Sequence, residues 1–591
     1  MNQEKSQQDL RDLGFKCGVE IHQQLLTSKK LFCRCPSGVY SKQHDAEILR
    51  HMRPTLSEMG TYDGCAMMEF KTKKEILYLL HKDSVCTYEM DDTPPFPINQ
   101  EALDIAIEIA LLFNCQIVDE VHVARKQYLD GSIPTGFQRT AIIGINGYVD
   151  IGEKRIGVRQ LSIEEDSCRE VDDKGHRITF RTDRLGMPLI EVVTEPDFET
   201  PEQAALGVKI IGRLLRATQK VRRGIGHVRQ DVNVSISGGS RVEIKGVPRY
   251  QDIPALTRTE ALRQKALLDL VSRFKKMGIA ENNIDFYDKD ITYSIKNTRS
   301  LVLKEVLSKG GFVRGIKISK IAGLLDWKTE AGESFSSEIA GRVRVIACLD
   351  DIPNIYHTDH YPDYNGSHID LRRIKNLFNT TDEDVVIIVW GNKADTITAC
   401  EEIKNRVIEA IKGVPEETRQ HRRGGLTCFE RILPGVDRMY PDTDHPPLAI
   451  EAKRVDRIRK FLPELVLDVE KRFSSNGIPA GCVEYLALSH YKELVDDLIL
   501  KGVNGKIIGF LFGQTVKNLE QKGVNLKKIS RETWLELVDA CVSNNVKQKD
   551  FKCIIKGLAE DTGWNISDIC KKYNWEARGN VDKMAVCAKK V

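Results

Sequence analysis

The side chains with most chemical capacity lie on strand-like runs in the first half of the sequence. In GFKCGVEIHQQL, apolar Phe15, Cys17, Val19 and Ile21 alternate with Lys16, Glu20 and His22. A strand repeats every two residues, so Glu20 and His22 share a face. In VRQLSIEED the same count groups Ser162, Glu164 and Asp166, leaving Glu165 with Leu161 and Ile163. HVRQDVNVSIS sets Arg229, Asp231 and Asn233 against Val228, Val232, Val234 and Ile236, and SRVEIKG turns Glu243 and Lys245 outward. A three-residue loop, Gly238-Gly239-Ser240, preserves the alternation, with Ile236 opposite Val242 and Asn233 opposite Lys245. Such faces are ordinarily the wetted side of a half-buried sheet. These, however, carry short Asp, Asn and Ser side chains with a histidine rather than flexible lysines. Crowded carboxylates are costly without a cation, and a hard divalent ion such as Mg²⁺ takes oxygen ligands and bridges to phosphates.

Other chemistries lack their residues. No GxxxxGK[ST] loop or GxSxG elbow occurs, which argues against a P-loop nucleotide site and a hydrolase nucleophile. Cys33 and Cys35 form a CxC pair with no CxxC after it in this region, and Cys65 and Cys86 read as isolated, buried thiols.

The elements that must position these groups are those of a multidomain protein. At 591 residues the chain exceeds a single core. Its charge of +3 gives no global basic field, so any nucleic-acid contact must come from local patches. The 15 scattered cysteines suit reduced thiols, and with no long apolar segment and a polar start the expected setting is the cytoplasm. A helix is predicted over 101–113, N-capped by Asn99, and a helical stretch over 253–277. A buried strand over 385–390 and a helix over 396–411 follow, and the signal is almost wholly helical from about 450.

Several motifs then fall in one order. GVEIHQQL with KKLFCRCP, RKQYLDGSIPTGFQRT, SIEEDSCRE, TDRLGMPLIEVVTEPDF, VRQDVNVSIS and RVEIKGV resemble the B/E family of glutamyl-tRNA amidotransferase subunits. The fourth carries Asp183, Arg184, Gly186, Pro188, Glu191, Glu195, Pro196 and Asp197 of that family's signature. RHMRPTLSEMG, GGFVRGIKISKIAGLL and LPGVDRMYPDTDHPPL resemble its archaeal E branch. The second cysteine pair common in the bacterial B branch is missing, which leaves that branch's zinc in doubt here, and His445 is a smaller departure.

The resemblance implies an α+β multidomain fold. An antiparallel-sheet cradle occupies 1–275 and 413–450, with an insertion over 276–412 like that of bacterial aspartyl-tRNA synthetases. A helical domain over 451–530 and a small helical tail over 531–591 follow. It implies ATP-dependent conversion of glutamate on tRNA(Gln) to glutamine, with Mg²⁺ held by Glu20, His22, Glu165 and Glu243. Alternation favours Glu164 where the motif gives Glu165, and both stay open. Lys126, Gln138 and Arg139 are candidates for the nucleotide phosphates, with Lys245 beside them and Asp231 and Asn233 orienting a ligand. Lys517, Lys527, Lys528, Lys552, Lys556, Lys571 and Lys572 are candidate tRNA contacts. An asparaginase-like glutaminase, the D subunit of the archaeal enzymes, is the implied ammonia source, in a heterotetramer with two copies of each chain. The rivals are a bacterial-type B subunit and a non-catalytic tRNA-binding scaffold.

Overall fold

The computed structural model describes residues 10–152, 154–329, 332–542 and 550–560. It divides into two compact units, one of residues up to 212 with 220–462, the other of 213–219 with the chain from 463.

The first unit is organised by an eleven-stranded sheet. Its strands are β1 (Lys16–Gln24), β2 (Val123–Gln127), β3 (Phe137–Ile151), β4 (Lys154–Glu165), β5 (Pro188–Thr194), β6 (Val228–Ser235), β7 (Val242–Val247), β8 (Glu417–His421), β9 (Thr427–Ile432) and β10 (Met439–Pro441). They lie in the order β9-β8-β7-β6-β1-β5-β4-β3-β2-β10, and the short strand Gln116–Ile117 pairs off this path with β3. Neighbours are antiparallel except β7 and β8, which run parallel. Parallel neighbours need a crossover, and here it is the whole passage from 248 to 416.

Alternation sorts the two faces as expected. Cys17, Val19 and Ile21 of β1 are buried with Val232 and Val234 of β6 and Val242 and Ile244 of β7. Helix α1 (Gln100–Leu112) packs on β3 and β4, its start fixed by the Asn99 side chain, which accepts from the N–H groups of Glu101 and Ala102. Helix α2 (Ile253–Lys276) packs on β6.

The crossover carries its own four-stranded antiparallel sheet, Phe286–Asp290, Phe312–Ile318, Val385–Gly391 and Ile355–His357 in spatial order. Val385–Gly391 is central and buried, as a continuous β-branched run should be. Helices α3 (Phe335–Ile346) and α4 (Lys393–Lys412) pack on each other. The expected helix over 396–411 therefore starts three residues early.

The register of β6 against β7 differs from the expectation. Asn233 faces Glu243 and Val234 faces Val242, two residues from the predicted pairing. The longer connection moves the register by a full pleat repeat, so every side chain keeps its predicted face. Further along, the register shifts again between Gln230 and Val232, where Lys245 and Gly246 fit against Asp231. Gly246 adopts φ +65°, the left-handed conformation that such a bulge requires.

The second unit is helical around Phe473, Leu486, Val495, Phe512, Trp534 and Phe551. No helix among the described residues is long and apolar enough to cross a membrane.

Candidate functional site

The polar face of the large sheet collects its functional side chains by register. His22 of β1 stands opposite Glu191 of β5 on one side and Arg229 of β6 on the other, and Glu20 stands opposite Asp231. Two groups of possible ligands result, Glu20 with Asp231 and Glu243, and His22 with Glu164 and Glu191. Within each, one donor atom per residue lies within 4.8 Å of the others.

In the first group each carboxylate has an oxygen fixed by a neutral donor. Asn233 Nδ2 donates to Glu20 at 3.0 Å, the Gly246 N–H to Asp231 at 2.9 Å, and Thr418 Oγ1 to Glu243 at 2.9 Å. No ion pair reaches Glu20, Asp231 or Glu243 among the described residues. The imbalance appears in their acidities. Burial, then the charges of Glu243, Glu191 and Asp231, push the Glu20 carboxyl up to about 7. Asp231 stays below the ordinary range despite burial, because His22, Lys245 and Arg229 favour its charged form.

In the second group His22 Nε2 lies 3.4 Å from Glu191 and 3.6 Å from Glu164. Burial alone would lower the imidazole, but the contact with Glu191 and the charge of Asp231 outweigh it, and its pKa is raised. Lys126 Nζ reaches Glu164 at 2.9 Å and Glu191 at 3.6 Å. The two carboxylates overcome its desolvation and keep it an ammonium. Glu191 is held below the ordinary range against its burial, by Lys126 and His22.

This donor set of carboxylate oxygens with one imidazole suits a hard divalent cation. Two buried polar atoms support the fit, since His22 Nδ1 and Asn233 Oδ1 have no hydrogen-bond partner among the described residues.

Several expected positions change. Glu165 is not beside His22. It lies on the opposite face, where Tyr88 Oη donates to it at 2.5 Å and the Arg139 N–H at 3.1 Å, and Glu164 takes its expected place. Alternation, unbroken from Leu161 to the end of β4, puts Glu164 rather than Glu165 on the face of His22. Arg139 is likewise turned away from this face, held by Asp442 at 2.6 Å, Asp444 at 3.0 Å and Tyr88 at 3.1 Å. Gln138 stands opposite Lys126 and donates to the Glu165 carbonyl at 2.7 Å, with its Oε1 unpartnered among the described residues. Lys245 is half-buried on the acid face; burial and Arg431 act against its charge, but Glu243, Tyr128 and Asp231 raise its pKa. His445, a departure in sequence, contacts Asp442 at 3.1 Å and the Phe96 carbonyl at 2.9 Å.

Glu191, Lys126 as its partner, and Thr418 were not grouped with the site from sequence. Glu191 did leave a signal, being the one charged residue in the apolar run PLIEVV.

Cys86 is not isolated either. It converges with Cys33, Cys35 and Glu89 within 4.8 Å. Three thiols suit a soft cation such as zinc. Glu89 is already engaged, by Lys30 at 2.6 Å and by the Cys86 N–H at 3.2 Å.

In the helical unit Lys527, Lys528 and Lys552 are exposed, and Lys556 is half-buried. Lys517 lies over the Tyr485 ring at 4.9 Å. Lys571 and Lys572 lie outside the described residues.

Comparison with known proteins places these features in a family. Residues 15–456 match the family described as the GatB/GatE catalytic domain. The E subunit of the glutamyl-tRNA(Gln) amidotransferase of Saccharolobus islandicus is 37% identical over 574 residues, covering 96% of this chain and 90% of the relative. That of Methanocaldococcus jannaschii is 36% identical over 563 residues, covering 94% and 88%. That of Sulfurisphaera tokodaii is 35% identical over 570 residues, covering 96% and 90%.

Proposed function

The chain belongs to the GatB/GatE family, and on that premise we propose that its acid-lined sheet face activates the glutamate of Glu-tRNA(Gln) for amidation. The chain is an amidotransferase subunit acting in the formation of glutaminyl-tRNA, as its relatives are named. A carboxylate resists ammonia because hydroxide is a poor leaving group. The γ-carboxylate oxygen therefore attacks the γ-phosphorus of ATP and ADP departs. Ammonia then adds to the acyl carbon and inorganic phosphate leaves with the oxygen.

The observation that carries this reading is the trio Glu20, Asp231 and Glu243, gathered without an ion-paired protein cation among the described residues. Phosphoryl transfer needs positive charge at the transferring group, and Mg²⁺ supplies it when bound. Glu20, Asp231 and Glu243, with His22, Glu164 and Glu191 beside them, are the groups that would hold it. Lys126 and Lys245 stay protonated and offer further positive charge to the phosphates, and Asn233 orients Glu20. Gln138 has a free acceptor, and Arg139 supports the sheet from behind. Glu165 acts through Tyr88 and Arg139 as a structural group. For zinc, Cys33, Cys35 and Cys86 would supply three thiolate donors, and Glu89 would join them only by giving up Lys30. An ion held there would be structural.

The finer division at 275, 412, 450 and 530 is part of this proposal. So are tRNA contacts by Lys517, Lys527, Lys528, Lys552, Lys556, Lys571 and Lys572, a cytoplasmic setting, and ammonia from an asparaginase-like glutaminase in a heterotetramer. Co-purification followed by glutaminyl-tRNA formation tests the partnership. The chemistry is tested by phosphate transfer from ATP to Glu-tRNA(Gln). Glu20→Ala and Glu243→Ala should each lose it by about 10²-fold or more while tRNA binding persists. Unchanged transfer in both variants contradicts the proposal.

A further inference from the structure

Glu243 is the one carboxylate of its trio whose neutral donor comes from beyond the insertion. Thr418, fully buried, lies 175 positions away in sequence and reaches Glu243 through the parallel pairing of β7 with β8. Period-two alternation turns Glu417 and Arg419 to the other face of β8. There they are fixed in a buried network. Arg419 reaches Glu417 at 2.6 Å and Glu338 at 3.3 Å, while Arg263 reaches Glu338 at 2.9 Å and Glu417 at 3.3 Å. Glu338 belongs to α3 of the insertion and Arg263 to α2 before it. Both neighbours of Thr418 are thus pinned from behind, which fixes the strand segment that turns its side chain to the acid face.

A hydroxyl donor on one oxygen of a metal-binding carboxylate fixes its rotation and leaves the other oxygen for the ion. Such outer partners typically govern affinity or activity by about 10–100-fold. We propose that Thr418 is a positioning residue for Glu243, setting the cation affinity of the acid face from a strand whose place is fixed by the insertion. This rests on the reading of that face as the phosphorylation site.

The test uses the full chain with its glutaminase partner and Mn²⁺ as the probe ion. Thr418→Val removes the hydroxyl and keeps the shape, whereas Thr418→Ser keeps the hydroxyl and removes a methyl group. The valine variant should bind Mn²⁺ about ten-fold more weakly by electron paramagnetic resonance. It should need about ten-fold more Mg²⁺ for half-maximal phosphate transfer, with the plateau rate far less affected, and the serine variant should restore both. In a Glu243→Gln background Thr418→Val should add no further loss of Mn²⁺ binding. Equal shifts in the valine and serine variants, an additive loss in that background, or an unshifted valine variant would overturn the inference. If Glu243→Ala itself leaves phosphate transfer intact, the reading of the site fails first, so the two failures are distinct.

Discussion

Two regions of this molecule bury several carboxylates at close quarters, and they balance that charge differently. Where the insertion meets the sheet, Glu260, Glu338 and Glu417 are matched by Arg263, Arg406 and Arg419, with contacts such as Arg263 to Glu260 at 2.8 Å and Arg406 to Glu338 at 3.3 Å. On the polar sheet face, the hydrogen bonds that fix Glu20, Asp231 and Glu243 come from neutral donors. A guanidinium is a permanent counter-ion and makes a joint. A carboxylate trio held by hydroxyl, amide and backbone N–H leaves room for a counter-ion that arrives with substrate. That contrast in counter-charge is what marks the second region as a site.

The largest expected effect is on stability. Removing one partner from the buried joint leaves uncompensated charge, so Glu338→Ala should cost about 3–5 kcal/mol, read as a fall in urea midpoint. Without divalent ions at pH 8, Glu20→Gln should instead raise the melting temperature, because it relieves repulsion among carboxylates. A fall would mean that the trio is already neutralised.

Next in size is the contrast between adjacent glutamates. Glu164→Ala removes a carboxylate beside His22 and should reduce phosphate transfer by about 10²-fold with a near-normal melting temperature. Glu165→Ala leaves the Tyr88 hydroxyl and the Arg139 backbone N–H without this acceptor and should lower stability instead. The reverse pattern would favour the motif reading over strand geometry.

A smaller effect sharpens the contrast in pH. With Glu20 at about 7 against an ordinary 4.5, the folded, cation-free protein retains a proton that the unfolded chain has released. The stabilisation is complete below 4.5 and is lost as pH rises through about 7. Melting temperature should therefore decline more steeply from pH 5 to pH 8 in the cation-free wild type than in Glu20→Gln. Mg²⁺ affinity should climb by about ten-fold between pH 6 and pH 8. Parallel melting curves for the two proteins would contradict the assignment.

The smallest effects belong to the helical unit. Lys527→Ala and Lys528→Ala should each weaken tRNA binding about two- to three-fold and flatten its salt dependence by nearly one unit of slope. They should leave phosphate transfer at saturating tRNA unchanged. An unaltered salt slope would remove these lysines from the interface.

The polar face was legible because period-two alternation survives any slip by an even number of residues. The β6–β7 register moved by two, and Asp231, Asn233, Glu243 and Lys245 still kept their side. Alternation also placed Glu164, rather than Glu165, beside His22. What sequence alone did not carry was pairing at a distance. Thr418 meets Glu243 only after the insertion has been crossed, and Cys86 meets Cys33 and Cys35 only through tertiary folding. The engagement of Arg139 has the same cause, since Asp442 and Asp444 come from about 300 residues downstream and nothing local announces them.

The central claim, that the acid face is completed by an exchangeable cation, is tested most directly by titrating Mg²⁺ calorimetrically into wild type and a Glu20→Gln, Glu243→Gln double variant at pH 8. The wild type should bind, with the heat of that site absent from the double variant although it remains folded. Equal binding by both proteins would contradict the account.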